Sequence, residues 1–110
     1  MDNVSIIARL RDLGSLPDDT TPAIDDFPLK KFDELVQQLS EPLEPDHSLA
    51  LINLGPPHGT SACGIEWSLI HAAEAVSAKA LRDILFDADD TEVKRIIAMR
   101  LANHFENNLE

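Results

Sequence analysis

At 110 residues, with 44% hydrophobic and 26% charged side chains, the chain is one domain long enough to bury a self-sufficient core, and no apolar run reaches the roughly 18 residues of a membrane span. A net charge of −11, from 20 Asp and Glu against 9 Lys and Arg, sets it against nucleic acid and anionic lipid, which such a surface repels, and in favour of cationic proteins. A single cysteine, Cys63, excludes an internal disulfide framework, and the opening MDNVSIIARLRDLG lacks the basic segment and unbroken apolar stretch of a signal peptide, so a cytoplasmic location is expected.

Helical spacing recurs along the chain. Val4, Ile7 and Leu10 fall at three-residue steps ahead of Gly14, which predicts a first short helix over residues 3–13 with a glycine stop. Residues 15–28 hold three prolines and four aspartates without a period and read as an exposed connection. Leu29, Phe32, Leu35, Val36 and Leu39 then form one apolar stripe behind Pro28, the clearest amphipathic helix of the chain. After the prolines at 42 and 45, Asp46 is placed to cap a helix from His47 to about Leu54, although SLALINL is also short and apolar enough for a buried strand. GPPHGTSACG, residues 55–64, is a ten-residue loop.

The second half continues the pattern. Over residues 65–77, Ile65, Leu69, Ala72, Ala73 and Val76 make one stripe while Trp67 and Ile70 occupy another side, which predicts a helix buried on two faces in the middle of a layered structure. Ser77 is placed to cap a short helix carrying Leu81, Ile84 and Leu85, which the turn DADD ends. Asp89 with Glu92 has the form of a capping box that opens a last helix to about Asn107, with Val93, Ile96, Ile97, Leu101 and Phe105 inward. The expected fold is therefore all-α, with about five to six helices in antiparallel pairs and HEAT-like layers, forming a single domain over residues 1–108. Leu109 and Glu110 read as a cloning scar.

Three constellations bear on chemistry. His71 and Glu74 have the His-x-x-Glu spacing of a metal-binding helix, but no second pair matches it and His47, His58 and His104 are scattered, so no metal or other cofactor is expected. The structural alternative is more specific: Arg100 and His104 interrupt the apolar stripe of the last helix, a buried guanidinium needs a carboxylate, and Glu74 is the candidate partner with His71 close by. Cys63, His58 and Glu66 supply thiol, imidazole and carboxylate, yet such triads normally assemble from distant segments. Cys63 reads instead as a small buried residue, and no catalytic residue is expected. The acids remain. Asp18, Asp19, Asp25, Asp26, Asp87, Asp89 and Asp90 lie in expected loops or helix starts, where aspartate caps and turns, and where paired carboxylates also engage Lys and Arg of a partner. Residues 1–50 carry 11 acids against 4 bases and residues 51–110 carry 9 against 5, so the excess leans toward the N-terminal half.

The string WSLIHAAE at residues 67–74, the short helix around Leu81 and Leu85, and Arg-Leu-Ala-Asn at 100–103 together resemble helical immunity proteins of bacterial polymorphic toxin and contact-dependent growth inhibition systems, over about residues 65–104. The resemblance implies an antitoxin that binds a cognate toxin domain, often a nuclease, and occludes its active site. It also implies that Trp67, His71, Glu74, Arg100 and Asn103 belong to the scaffold. An acidic inhibitor suits that role, because a nuclease must be basic to hold its substrate. The other function compatible with the residues is a helical adaptor or scaffold protein with no toxin partner.

Overall fold

The computed structural model describes residues 1–107, with side chains to residue 104; the inward placement expected for Phe105, the end of the domain at 108, and Leu109 and Glu110 lie outside the described residues. Among these residues the chain is all-α, with seven helices and no strand: α1 (Asn3–Leu13), α2 (Ala23–Asp26), α3 (Leu29–Gln37), α4 (Pro45–Asn53), α5 (Glu66–Ala73), α6 (Ala78–Asp87) and α7 (Glu92–Asn107). The helix beyond the expected number is α2, a single turn after Pro22 inside the Pro- and Asp-rich connection, too short to carry a period.

Helices α1, α3, α5 and α7 touch in a row, while α4 packs against α1, α5, α6 and α7, and α6 closes on α4 and α7. The shortest axis of the molecule is 20 Å, the depth of two packed helix layers. The centre is therefore α4, which is helical over Pro45–Asn53 and not the alternative strand; Ala50, Leu51 and Ile52 are buried, and buried Ser48 donates through Oγ to the carbonyl of Ala73 at 2.9 Å, meeting an orphan acceptor at the end of α5. The core runs continuously from Ile6, Leu10 and Leu16 through Phe32 and Val36 to Leu69, Ile70, Val93 and Ile97.

Several ends differ from expectation for local reasons. Val4 is exposed, and Ile6 joins Ile7 and Leu10 in the core, because α1 offers α3 and α4 a different edge of its stripe. The N-cap of α4 is Glu44 rather than Asp46; Pro45 takes the first helical position, where its missing N–H costs nothing, and the Glu44 N–H donates to His47 Nδ1 at 3.4 Å. At the start of α7 the cap is Thr91, not Asp89: its Oγ1 accepts from the Lys94 N–H at 3.2 Å and donates to the Ile52 carbonyl at 2.7 Å. Helix α5 stops at Ala73, short of the expected Ser77, whereas Ser77 caps α6 as its sequence position predicts, accepting from the Ala80 N–H at 3.1 Å. One stripe of α5, Glu66, Leu69, Ile70 and Ala73, is buried. Trp67 lies about 110° round the helix from the middle of that stripe and stays 43% exposed, so the expected burial on two faces does not occur.

Candidate functional site

The ten-residue loop 55–64 is held by acidic side chains from several segments of the chain. At its start Gly55 lies so close to α7 that a Cβ there would meet Val93 Cγ2 at 2.6 Å. Pro57 forms an isolated antiparallel bridge with Thr91, and the Glu92 N–H donates to the Pro56 carbonyl at 2.9 Å. Four carboxylates hold the remainder. His58 Nδ1 lies 2.8 Å from Asp90 Oδ1. The Gly59 N–H donates to Glu92 Oε1 at 2.7 Å, and Arg95 donates to both oxygens of Glu92. Buried Glu66 accepts from Ser61 Oγ at 2.8 Å and from the Ala62 N–H at 2.9 Å. Asp19 Oδ2 accepts from the Cys63 N–H at 3.0 Å, while the Asp19 N–H donates to the Ser61 carbonyl at 2.8 Å. Arg95, followed by the Gly59 amide, pulls the carboxyl of Glu92 below the usual carboxylate range.

This one loop joins segments that are far apart in sequence. Its first half is fastened to residues 90–92 and its second half to Asp19, so the acids at 18–19 and those at 89–90 flank a common element. They are not equivalent. Asp18 is turned onto its own chain, accepting from Thr20 N and Oγ1 at 2.9 and 2.8 Å, and Asp19 holds the loop. Asp25 and Asp26 stand exposed on α2, and Asp87, Asp89 and Asp90 are exposed at the end of α6 and after it, with Asp90 beside His58.

Next to Asp87 stands a residue that the sequence pattern did not single out. Phe86 is 83% exposed. It lies about 140° round α6 from Leu81, away from the stripe of Leu81, Ile84 and Leu85, and that offset was the signal available to find it. Beside it, between α6 and α7, runs a shallow groove of about 480 Å³ lined by Leu85, Ala98, Leu101 and Ala102, with Arg82 and Lys94 at its rim. An aromatic this far into water, bordered by charged groups, has the make-up of a protein-binding anchor rather than of a core residue.

The other residues singled out by sequence are dispersed. Glu74 and Arg100 meet, with Arg100 Nε and Nη2 donating to the two carboxylate oxygens at 2.8 and 3.1 Å. The pair is not buried as expected: its side chains are 23% and 48% exposed, because Glu74 caps the end of α5 and the bridge therefore sits at the edge of the α5–α7 contact. His71 packs edge-on against Trp67, ring centres 6.0 Å apart. Asn103 and His104 are exposed and line a shallow groove with Glu74 and Arg100, so Asn103 is a surface residue and not part of the packed scaffold. Cys63 is exposed rather than buried, at a left-handed φ of 55° in the loop. Glu66 faces Ser61 and Ala62 while His58 faces Asp90, so these two groups do not line up behind the Cys63 thiol. Among the described residues, no cluster of three or more His, Cys, Asp or Glu side chains is arranged to hold a metal ion, and no helix is long and apolar enough to cross a membrane.

Neither a known protein family, nor a curated protein, nor a solved structure matches the chain.

Proposed function

We propose that the chain is a binding protein for a cationic protein domain and works as an immunity protein does, by covering the active site of a cognate basic toxin, a nuclease by preference, in the cytoplasm of the cell that makes it. The observation that carries this reading is Phe86, the most exposed large apolar side chain described, standing directly before the acids Asp87, Asp89 and Asp90. The groove at Phe86 is edged by Arg82 and Lys94, and the carboxylates that follow it in the chain, Asp87, Asp89 and Asp90, are exposed, a mixture that suits a partner whose cleft combines an apolar pocket with charged groups, Lys and Arg among them. The carboxylates take the places that phosphates would occupy, and no cofactor or chemical step is required of the inhibitor. Asp25 and Asp26 add to the attraction, whereas Asp18 is engaged by Thr20 in its own turn and Asp19 holds the loop.

Co-expression with the product of the adjacent open reading frame, followed by affinity capture and a growth-rescue assay, tests the proposal. A toxic, basic partner is expected to co-purify with the chain, and Phe86→Ala is expected to weaken the complex at least about tenfold, as loss of an interface anchor does. Capture of a harmless partner would make the chain a helical adaptor. Unchanged affinity in a Phe86→Ala, Asp87→Asn, Asp89→Asn variant would remove this face from the interface.

A further inference from the structure

A second surface lies away from Phe86. Between the end of α3, the turn at 38–43 and α5 runs a groove of about 370 Å³. Its floor is apolar, formed by Val36, Leu39, Leu43 and Ala75, and Trp67 stands at its side with the His71 ring set edge-on against it. Of the residues that line it, Glu41 is the only carboxylate, and none is Lys or Arg. The walls are fastened from outside. Asn3 Nδ2 donates to the Ser40 carbonyl at 2.8 Å and its Oδ1 accepts from the Ser40 N–H at 2.9 Å, which ties the turn to α1. Ser68 Oγ donates to Asp33 Oδ1 at 2.6 Å, which ties α5 to α3.

The volume is near the lower end of ligand pockets, about 300 Å³, so it holds one or two side chains and not a folded segment. An anionic group is disfavoured by Glu41 and by the charge of −11. A purely apolar side chain would cover the polar wall without replacing its hydrogen bonds with water. A long cationic side chain satisfies both halves. Its methylene stem lies on the apolar floor, and its charged end is drawn to Glu41 and to the face of the indole. We infer that the groove beside Trp67 receives an arginine or lysine side chain projecting from a protein partner. This rests on the proposed cationic partner and adds a second anchor, apart from Phe86, to the contact.

Trp67 is the only tryptophan and the chain has no tyrosine, so emission excited at the red edge of indole absorption comes from this groove alone. The full chain is titrated with acetyl-Leu-Arg-Leu-amide and, in parallel, with acetyl-Leu-Glu-Leu-amide. A saturable change in Trp67 emission with the arginine peptide alone is expected, and Glu41→Gln, on an exposed turn where folding is not at stake, is expected to weaken it about two- to fivefold, the size of a partly exposed charged contact. An equal response to both peptides, no response up to about 10 mM, or an arginine response untouched by Glu41→Gln would each overturn the inference. The two levels fail separately: a silent groove in a chain that still captures its basic partner removes this anchor alone, whereas a responsive groove in a chain that captures none removes the partner reading alone.

Discussion

Glu74 and Arg100 make the geometry that a buried ion pair would have, yet their energetic weight is set by water. Both oxygens of Glu74 are engaged, and that carboxylate raises the pKa of Arg100 further through the hydrogen bond and its charge, but nearly half of the guanidinium side chain is solvent-accessible. Glu74→Ala is therefore expected to cost at most about 1 kcal/mol in urea unfolding, not the roughly 3 to 5 kcal/mol of a truly buried pair, and less still in high salt. Glu92 differs in kind. Its side chain is 9% exposed and accepts from both Arg95 and the Gly59 amide, which lower its pKa. A carboxyl whose pKa is lower folded than unfolded adds stability above its unfolded pKa, and that contribution drains away as pH falls through the folded value. The chain is thus expected to lose stability on acidification below about pH 4, and Glu92→Gln, measured by melting temperature against pH, to have the shallower slope in that window.

At the scale of elements, the helices were legible, and so was the extent of the loop at 55–64, but not its internal order. Apolar stripes at three- and four-residue steps located α1, α3, α4, α5, α6 and α7, because each of these helices buries one face and its period records which. Ends were legible only where a single residue decides them, as Gly14 does at φ 95° behind α1. Where Asp46 and Thr91 stand beside Glu44 and Asp89, several residue types can cap, and the choice depends on tertiary partners such as the Ile52 carbonyl. GPPHGTSACG has no period at all, and its order comes from carboxylates 4 to 44 positions away in sequence. The candidate site was legible in part: the clustered aspartates at 87, 89 and 90 stand out in the sequence, whereas Phe86 becomes notable only once the faces of α6 are assigned. Gly55 supplies the test of the loop's seat. A methyl group there has to displace buried, β-branched Val93, so Gly55→Ala is expected to cost about 1 to 3 kcal/mol through overpacking, although this glycine's φ is unremarkable. Pairing it with Val93→Ala should recover part of that loss, and a sum of the two single-mutant costs in urea unfolding would show that Gly55 and Val93 do not share one site.

For the molecule as a whole, 11 surplus negative charges on a plate two helices thick place most carboxylates within reach of solvent, and few are spent inside. Those that are spent, at Asp19, Glu66 and Glu92, fix a loop; those at Asp25, Asp26, Asp87 and Asp89 are left to act at a distance. Exposed charges govern encounter, whereas a desolvated aromatic governs how long a complex lasts, so the two contributions separate kinetically. With the captured basic partner, raising ionic strength from about 0.05 to 0.5 M shortens the Debye length from roughly 14 to 4 Å and is expected to slow association at least about tenfold while dissociation changes little. Phe86→Ala should do the reverse, speeding dissociation and leaving the salt dependence of association intact. An association rate indifferent to salt, measured by stopped flow on the Trp67 emission, would mean that the acidic surplus confers solubility and plays no part in recognition.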